Sequence, residues 1–286
     1  MIINGKELSQ NILEKCKKEL KDYPKENLIV VTIGDDPASK VYVRNKQKAA
    51  EQIGIGFQNI RFSEEDTFET VYEELLKYIY SETNLIEFNP TTAGIIIQLP
   101  IVSKVLTEDQ KKAITLMVPD YLDVDGFNKN SNFIPCTPKG IVYMLKSIPE
   151  YSLIGKTALI IGRSNIVGKP VAKLLLDEDC TVIQAHSKTP KEKLIKYFAE
   201  ADIVISAVGK PYLIKEEDLW NQNIKYDKII IDVGMNRDKD GKLCGDLEES
   251  IKQNYSKYYS PVPGGVGPMT VAMLMDNITE AITCKH

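Results

Sequence analysis

The chain has 286 residues, of which 43% are hydrophobic and 27% are charged, with a net charge of −4 and a pI near 5.5. This length is sufficient for two domains of ordinary size, each with its own core. A weakly acidic chain offers no basic surface for nucleic acid or for anionic membranes, so neither is expected as a partner.

The amino-terminal segment, residues 1–21, has Lys, Glu or Gln every few positions and is predicted to form an amphipathic helix. It lacks the unbroken apolar stretch of a signal peptide, and no part of the chain has the roughly 18 consecutive apolar residues of a membrane-spanning helix. The five cysteines are scattered and never form a C-x-x-C pattern, which argues against a disulfide framework and against a thiolate metal site. We therefore expect a cytoplasmic protein.

The chain has only two histidines, His186 and His286. A histidine-rich metal site and most Ser-His or Cys-His mechanisms therefore need residues that are missing here. We expect no bound metal, and we expect chemistry that either proceeds without a histidine base or depends on the reactive group of a cofactor.

Short β-branched runs alternate with helical patterns along the whole chain. Continuous apolar runs of this kind are typical of strands in a parallel sheet that helices cover on both faces, so the predicted fold class is α/β. The stretch 123–140 is rich in Asn, Gly and Pro, and the alternation restarts after it, which places a domain junction there. The predicted strands are 28–34, 93–100, 157–162, 181–186, 202–208 and 228–234.

One lysine of the segment SKVYVRNKQKAA, residues 39–50, lies on the apolar side of a predicted helix. With about 100° of rotation per residue, Lys46 shares a stripe with Tyr42 and Ile53, while most charged side chains lie opposite. Lys46 either extends its amine past the stripe to water or holds a partly desolvated amine suited to catalysis. Short-chain dehydrogenases also have a Tyr-x-x-x-Lys pair, but there it follows the nucleotide fingerprint, whereas here it comes first, so that analogy fails.

Two polar residues follow apolar runs in the first half of the chain. Gln98 ends the run AGIIIQLP, and the carboxyl end of a strand is where open α/β sheets bind ligands; alternatively, its amide caps its own loop. The DVDG run at 123–126 invites a calcium-loop interpretation, which fails because Asn128 and Ile134 occupy the positions that need Gly and Glu. Asp125 is then either a turn former or a carboxylate that bonds an amino-pyrimidine-like ring.

Residues 157–187 follow the plan of a mononucleotide-binding unit: a strand, a glycine-bearing turn, the start of a helix and a second strand. We expect Gly162 where the backbone approaches a ligand and Gly168 where the helix presses on the sheet. Amide groups at the helix start would hold a pyrophosphate. The motif G-R-S-x-x-x-G-x-P differs from G-x-G-x-x-G, so it matches the general dinucleotide-binding fingerprint only in part.

The end of the second strand of this unit distinguishes between the two nicotinamide dinucleotides. An NAD site usually has an acidic residue about 20 positions after the first glycine, whereas this strand runs into His186, Ser187 and Lys188. Arg163 adds positive charge in the first turn. Hydroxyl and cationic groups suit a 2′-phosphate, which favours NADP over NAD. The alternative is that Arg163 and Lys188 are ordinary surface charges.

Several longer motifs occur together: VYVRNKQKAA, IIIQLP, DVDGF, IPCTPKG, IIGRSNIVGKP and SPVPGGVGPMTVAML. With these motifs in this order, the chain closely resembles the bifunctional methylenetetrahydrofolate dehydrogenase/methenyltetrahydrofolate cyclohydrolases. The resemblance spans nearly the whole chain, and PVPGGVGPMT is its most specific motif.

The resemblance implies two α/β domains with a folate cleft between them. Residues 1–135, joined by the C-terminal helix 269–286, would form the folate-binding catalytic domain. Residues 136–268 would form a Rossmann-like, parallel-sheet domain that binds NADP. The resemblance also implies a homodimer joined through the nucleotide-binding domain, and tetrahydrofolate one-carbon derivatives as the small-molecule partners.

In the first domain, the resemblance implies four residues at the catalytic centre. Lys46 matches the family's catalytic lysine and Gln98 matches its hydrogen-bond partner. Tyr42 matches the aromatic residue that lies against the folate, and Asp125 matches the acid that binds the pterin. Leu122 is a departure, because many relatives carry lysine at this position.

In the second domain, the resemblance implies a cofactor site and a loop at the edge of the cleft. The implied cofactor-binding residues are Gly162, Arg163, Ser164, Ser187 and Met235, the last in place of a more usual Ile. The implied substrate-binding loop contains Pro263, Gly264, Gly265 and Pro268.

The implied reactions explain why a chain without a histidine base can be an enzyme. Oxidation of 5,10-methylenetetrahydrofolate by NADP produces a resonance-stabilised cation, so this step needs orientation more than a base. Hydrolysis of the resulting 5,10-methenyltetrahydrofolate to 10-formyltetrahydrofolate needs proton transfers, which Lys46 would perform. Three alternatives remain: a two-domain NADP dehydrogenase similar to shikimate dehydrogenase, a family member with only one activity, and a nucleotide-sensing protein without turnover.

Overall fold

The computed structural model describes residues 1–80, 89, 91–220 and 222–285. The chain divides into two compact units, which we name by their sheets. The three-strand unit consists of Asn11–Ile134 and Leu274–His286, and the five-strand unit consists of Met1–Gln10 and Pro135–Met273. The boundary between them falls within the first helix and again within the last helix.

The first half of the chain forms the elements of the three-strand unit. They are α1 (Gly5–Glu19), β1 (Asn27–Ile33), α2 (Pro37–Ile53), β2 (Gly56–Phe62), α3 (Phe68–Ile79), β3 (Thr92–Ile97) and α4 (Glu108–Leu116). The strands are parallel in the order β2-β1-β3. Because the chain leaves β1 first to one side and then to the other, the sheet has a switch point of strand order at the carboxyl end of β1.

The predicted strands 28–34 and 93–100 are confirmed as β1 and β3, and both are almost completely buried. The edge strand β2 was not predicted, because its half-buried side chains do not form a continuous apolar run. On one face of this sheet, Ile29 and Ile95 pack in a core with Leu75 of α3 and Ile114 of α4.

The second half of the chain forms the five-strand unit and the last helix. Its elements are α5 (Cys136–Lys146), β4 (Thr157–Ile161), α6 (Gly168–Asp177), β5 (Thr181–Ala185), α7 (Lys191–Glu200), β6 (Ile203–Ser206), β7 (Lys228–Asp232), β8 (Asn236–Arg237), β9 (Leu243–Cys244), α8 (Glu249–Tyr255), β10 (Ser256–Tyr259) and α9 (Val266–Lys285). The parallel sheet has the order β10-β7-β6-β4-β5, while β8 and β9 form an antiparallel hairpin. The carboxyl end of β4 is the switch point of strand order in this sheet.

All four strands predicted in this half are confirmed, as β4, β5, β6 and β7, so the chain has the predicted α/β class with parallel sheets. Their side chains form a core with α7 and α8, in which Phe198 and Ile251 are fully buried. The prediction missed β10, which is only four residues long.

Residues near both ends of the chain belong to a different unit from the one that the implied domain limits assign them to. The N–H of Ile3 donates to the carbonyl of Tyr259 at 2.8 Å, and Ile2 forms a parallel bridge with the same residue, so the first residues extend the edge of the five-stranded sheet. The first two turns of α9, as far as Met273, also belong to the five-strand unit. Backbone pairing, which composition does not reveal, explains the first difference.

Candidate active site

Lys46 lies in the middle of α2, a helix with a defined start and end. The Asp36 carboxylate accepts the N–H of Ser39 at 2.6 Å and caps the helix, Pro37 occupies its first turn, and Gly54 ends it with a φ of 91°. Only 7% of the Lys46 surface is exposed. The amine is therefore enclosed by protein, and the alternative in which the side chain extends to water does not apply.

Gln98, the first residue after β3, bonds the amine of Lys46. Lys46 Nζ donates to Gln98 Oε1 at 3.0 Å. The amide nitrogen of Gln98 donates to the carbonyl of Leu99 at 2.9 Å, which fixes the amide with its oxygen toward the lysine. The backbone N–H of Gln98 donates to the carbonyl of Val31 at 2.8 Å. This bond fixes Gln98 at the carboxyl ends of the paired strands β1 and β3. The amide therefore does not merely cap its own loop.

Asp125 lies on the other side of the amine. Its Oδ2 atom is 3.7 Å from Lys46 Nζ, and both side chains are about nine-tenths buried. Gly126 turns the chain after it, with a φ of 72°. Since a lysine amine has three donors, the bond to Gln98 and the attraction to Asp125 leave donor capacity for a bound ligand.

The loop that carries Asp125 is anchored by Asp123, which the sequence did not single out. The Asp123 carboxylate accepts the N–H of Asn128 at 2.7 Å and that of Phe127 at 3.3 Å. Burial raises the pKa of Asp123, and these two N–H groups partly oppose that shift. The first acid of the DVDG run is thus used for loop structure, and the second faces the lysine.

Tyr42 lies one helical turn before Lys46 on α2 and is half-buried. Burial raises the pKa of its phenol, so the ring stays neutral at physiological pH. A neutral aromatic ring beside a buried amine is suited to lie against a flat heterocycle.

A cavity of about 960 Å³ lies within the three-strand unit, between α2 and β2. Gln98 is among its lining residues, together with Arg44 of α2 and Arg61 of β2. Tyr42, Lys46 and Asp125 do not line it, so Gln98 is the member of this cluster that borders the cavity.

In the five-strand unit, the turn after β4 packs closely against neighbouring backbone at two glycines. A Cβ atom on Gly162 would lie 2.3 Å from the carbonyl oxygen of Ala207, and one on Gly168 would lie 2.5 Å from the carbonyl oxygen of Gly162. The expected close packing of helix and sheet at Gly168 is therefore present. The constraint on Gly162 comes from the chain after β6, and its positive φ of 126° adds to it.

Arg163 and Ser164 lie in the turn between β4 and α6. The Ser164 hydroxyl accepts the N–H groups of Val167 and Gly168, each at 3.2 Å, and its own proton remains available to a ligand oxygen. The Arg163 side chain is exposed. This turn therefore combines a cation, a hydroxyl donor and the positive end of a helix dipole.

The turn after β5 presents Ser187 at the same sheet edge. His186 accepts the N–H of Lys188 through Nδ1 at 3.2 Å, and its backbone N–H donates to Thr189 Oγ1 at 2.9 Å. This tight turn leaves Ser187 and Lys188 exposed. Because Ile161 pairs with Ala185, the chain positions that follow β4 and β5 leave the sheet side by side.

Met235 lies in a loop held by a buried carboxylate that the sequence did not reveal. The fully buried Asp246 accepts five hydrogen bonds at 2.7–3.3 Å, from the Ser206 hydroxyl, the N–H groups of Val208, Gly209 and Lys210, and the Asn236 amide. Asp246 thereby ties the loop after β6 to the loop after β7. Met235, between Gly234 and Asn236, is about half exposed at this edge of the sheet.

The loop of Pro263, Gly264, Gly265 and Pro268 runs from β10 into the first turn of α9. Pro263 follows a cis peptide bond, and Gly264 has a φ of 105°. A Cβ atom on Gly265 would lie 2.6 Å from the carbonyl oxygen of Pro261. The backbone therefore requires glycine at both positions, independently of any ligand.

The implied site residues divide between the two units. Tyr42, Lys46, Gln98 and Asp125 belong to the three-strand unit, and Gly162, Arg163, Ser164, Ser187, Met235, Pro263, Gly264, Gly265 and Pro268 belong to the five-strand unit. Within each unit the residues gather near the carboxyl ends of parallel strands, where α/β sheets bind their ligands. A shared cleft between the units stays a prediction.

Comparison with protein families accounts for both units. Residues 3–125 match the catalytic domain of tetrahydrofolate dehydrogenase/cyclohydrolase, and residues 135–286 match the NAD(P)-binding domain of the same enzymes. The chain belongs to the tetrahydrofolate dehydrogenase/cyclohydrolase family. The implied resemblance is thereby confirmed.

Relatives in this family match the chain from end to end. The bifunctional protein FolD of Streptococcus thermophilus is 39% identical over 298 residues, which cover 98% of this chain and 97% of that protein. The crystal structure of the bifunctional enzyme FolD from Campylobacter jejuni has a TM-score of 0.87 at 34% identity and covers 100% of this chain and 99% of its own. The Trypanosoma brucei FolD structure, complexed with NADP and an inhibitor, has a TM-score of 0.86 at 28% identity and covers 100% of this chain and 98% of its own.

The turns at the carboxyl ends of β4 and β5 provide donors that suit the phosphates of the family's dinucleotide. In the described part of the chain, the N–H groups of Asn165 and Ile166, in the turn that leads into α6, make no hydrogen bond, so they are available to an anion. The segment 186–190 contains no carboxylate that would repel a 2′-phosphate. With Arg163 and Lys188 exposed nearby in the fold, this donor set suits NADP.

Two further properties concern metals and membranes. No group of three or more His, Cys, Asp or Glu side chains placed to hold a metal ion occurs among residues 1–80, 89, 91–220 and 222–285. Across the helices described, none combines the length and apolar character needed to cross a bilayer. Leu122, noted above as a departure, is buried in the core, so its apolar side chain is well accommodated.

Proposed function

We propose that this protein oxidises 5,10-methylenetetrahydrofolate to 5,10-methenyltetrahydrofolate with NADP and then hydrolyses the product to 10-formyltetrahydrofolate. The observation that carries the proposal is the buried amine of Lys46, held 3.0 Å from Gln98 and 3.7 Å from Asp125 in a chain that matches both domains of the family. The three-strand unit binds the folate, and the five-strand unit binds the dinucleotide.

The oxidation needs binding and orientation from this chain. NADP, when bound, accepts the hydride that leaves the methylene carbon. The carbon product is a cation whose charge is shared by two nitrogen atoms, so no base is needed at this step. Arg163, Ser187 and Lys188 hold the 2′-phosphate, and the hydroxyl of Ser164 and the free N–H groups beside it hold the pyrophosphate.

The hydrolysis needs proton transfers. Water adds to the cationic carbon, the bond from this carbon to N5 breaks, N5 takes one proton, and a second proton is released to solvent. Lys46 is the group in reach that can take a proton from the adding water and deliver it to the departing nitrogen. Gln98 keeps the amine pointed toward the substrate, because its own amide is locked by the carbonyl of Leu99.

Asp125 and Tyr42 bind the folate ring. The carboxylate of Asp125 accepts hydrogen bonds from the amino-pyrimidine edge of the pterin, and its negative charge favours a cationic substrate nearby. The half-buried ring of Tyr42 lies against the flat part of the folate. The loop from Pro263 to Pro268 contributes further contacts to the substrate.

We further propose a cytoplasmic homodimer, joined through the five-strand unit, that binds neither nucleic acid nor a metal ion. Family resemblance supports the dimer, and the scattered free cysteines suit a reducing compartment. The substrate of the second reaction is already a cation, so its carbon needs no Lewis acid to attract water.

One coupled assay tests this function. The protein is given 5,10-methylenetetrahydrofolate with NADP, and the absorbance of NADPH and of the methenyl product is followed together. NADPH is expected to form first, and the methenyl absorbance is expected to decay faster than in a protein-free control. NADPH formation without accelerated decay would show a dehydrogenase only, and formation of NADPH from shikimate instead would reject the proposal. A parallel reaction with NAD measures the preference for the phosphate.

A further inference from the structure

Asn277 is a buried amide on α9 that bonds the loop containing Asp125. Its side chain has no exposed surface. The amide nitrogen donates to the carbonyl of Val124 at 2.8 Å and to that of Ile134 at 3.0 Å. The two carbonyls are therefore held at one point, although Asn277 lies 153 positions from Val124 in the chain.

These two carbonyls mark the ends of the segment that carries Asp125. Val124 is the residue immediately before Asp125, and Ile134 lies two residues before the start of α5. A bond at each end to the same nitrogen closes the segment into a fixed loop. Movement of the Val124 carbonyl would turn the next residue, whose carboxylate is 3.7 Å from Lys46.

Val124 is held on its other side by the sheet. A Cβ atom on Gly94 of β3 would lie 2.5 Å from both γ carbons of Val124, so the valine side chain packs directly on the glycine backbone. The carbonyl of Leu122 accepts the N–H of Ile95 at 2.8 Å, which ties the same stretch to β3. Sheet and helix thus fix the position of Val124 from two directions.

We infer that Asn277 is a positioning residue for the folate-binding carboxylate: it acts through Asp125 and does not touch the substrate. This inference rests on the proposed function. Asn277 lies among Met273, Leu274 and Ile278, which are buried apolar residues, so an amide here is needed for its donors and not for solubility. Without it, both carbonyls lose the donor that joins them, and the loop is free to rearrange.

The test uses a variant that keeps the volume of the side chain. Asn277→Thr has nearly the same size but only one donor, so it can bond one of the two carbonyls and no longer joins them. The control is Thr279→Val on the same helix, which removes a buried hydrogen bond to the carbonyl of Met275 and no bond to the loop. Circular dichroism and NADPH affinity check that each variant is folded.

The readout is the dissociation constant of tetrahydrofolate, which binds without being turned over. We expect Asn277→Thr to weaken binding about 10-fold, Thr279→Val to leave it unchanged, and Asn277→Thr to have almost no further effect when Asp125→Asn is already present. This loss of additivity is what an action through Asp125 requires, and a general loss of stability would not produce it.

Two results would overturn the inference while the proposed function stands. One is wild-type affinity in Asn277→Thr, and the other is an equal loss with and without Asp125→Asn. Should Asn277→Thr not fold, Asn277→Ser is measured in the same cycle, with the same two outcomes against it. A wild-type protein that fails to bind tetrahydrofolate, or an Asp125→Asn variant that binds it normally, would reject the proposed role of Asp125 and the inference with it.

Discussion

The amine of Lys46 lies 3.0 Å from the amide oxygen of Gln98, although the two residues are 52 positions apart in the chain. One belongs to helix α2 and the other follows strand β3, which pairs with the central strand β1. The bond therefore depends on the correct pairing of the three-stranded sheet. It joins the fold of this unit to the chemistry that we propose for it.

Removal of the amide of Gln98 is expected to slow hydrolysis and to leave nucleotide binding intact. Gln98→Leu keeps most of the volume but cannot accept the lysine's hydrogen bond, so the amine loses its orientation. We expect a fall in kcat for hydrolysis of 5,10-methenyltetrahydrofolate of about 100-fold, the usual effect of a displaced catalytic group. Gln47→Leu, on the exposed side of α2, is the matched control. Equal rates in the two variants would contradict the role of Gln98.

Arg163→Ala is expected to weaken NADP binding and to spare NAD binding. A charge-assisted hydrogen bond contributes about 1.5–3 kcal/mol, so the KM for NADP should rise by about 10- to 100-fold. The rate with NAD and the rate of hydrolysis should not change, because neither involves the 2′-phosphate. Lys173→Ala, at an exposed lysine further along α6, serves as the control. A similar rise of KM for both dinucleotides would contradict the assignment.

Asp246→Asn is expected to destabilise the five-strand unit and to weaken dinucleotide binding. The new amide would place donors against some of the five donors that now bond the carboxylate. Loss of a buried charged acceptor should lower the free energy of unfolding by about 3 kcal/mol, measured by urea denaturation. Asp240→Asn in the exposed hairpin turn provides the comparison. A wild-type unfolding curve for Asp246→Asn would refute the importance of this carboxylate.

Lys228 makes stability depend on pH in the alkaline range. Burial lowers the pKa of this lysine from 10.5 to about 8, and its amine donates to the carbonyls of Ala199 and Ala201. Between these two pKa values the unfolded chain binds more protons than the folded one, so this group's contribution to stability rises as pH rises from about 8 to 10.5. Below pH 8 the cost of burying the charge is fully present.

The measurement compares unfolding free energies of the wild type and Lys228→Met across this pH range. Their difference is expected to grow with pH in favour of the wild type. Lys239→Met, at an exposed position, should follow the wild type at every pH. A difference between wild type and Lys228→Met that stays constant with pH would show that the lysine keeps its ordinary titration.

The strands of this fold could be predicted from the sequence wherever both faces of a strand are buried. Continuous apolar runs identify β1, β3, β4, β6 and β7, because polar side chains have no place in the middle of a covered parallel sheet. The edge strand β2 alternates between half-buried and exposed residues, and the run of β10 is too short to stand out. The lack of a continuous apolar run in β2 and the short length of β10 explain the two failures.

The residues proposed for the site could be named from the sequence, but the buried residues that hold its loops in place could not. Lys46 was conspicuous because a cation on an apolar stripe is unusual, and resemblance supplied Gln98 and Asp125 as its neighbours. Asn277 and Asp246 were missed, because a single polar residue in an otherwise regular pattern carries no signal of what it binds. Their partners lie far away in the chain and meet them only after folding.

The central claim is that the buried amine of Lys46 moves the protons of the hydrolysis. Lys46→Met keeps the apolar stem and removes the amine, and Lys48→Met changes an exposed lysine of the same helix. The rate of 5,10-methenyltetrahydrofolate decay should fall to that of the protein-free solution in Lys46→Met and stay at the wild-type value in Lys48→Met, with NADPH binding intact in both. Hydrolysis by folded Lys46→Met at a rate near that of the wild type would contradict the account.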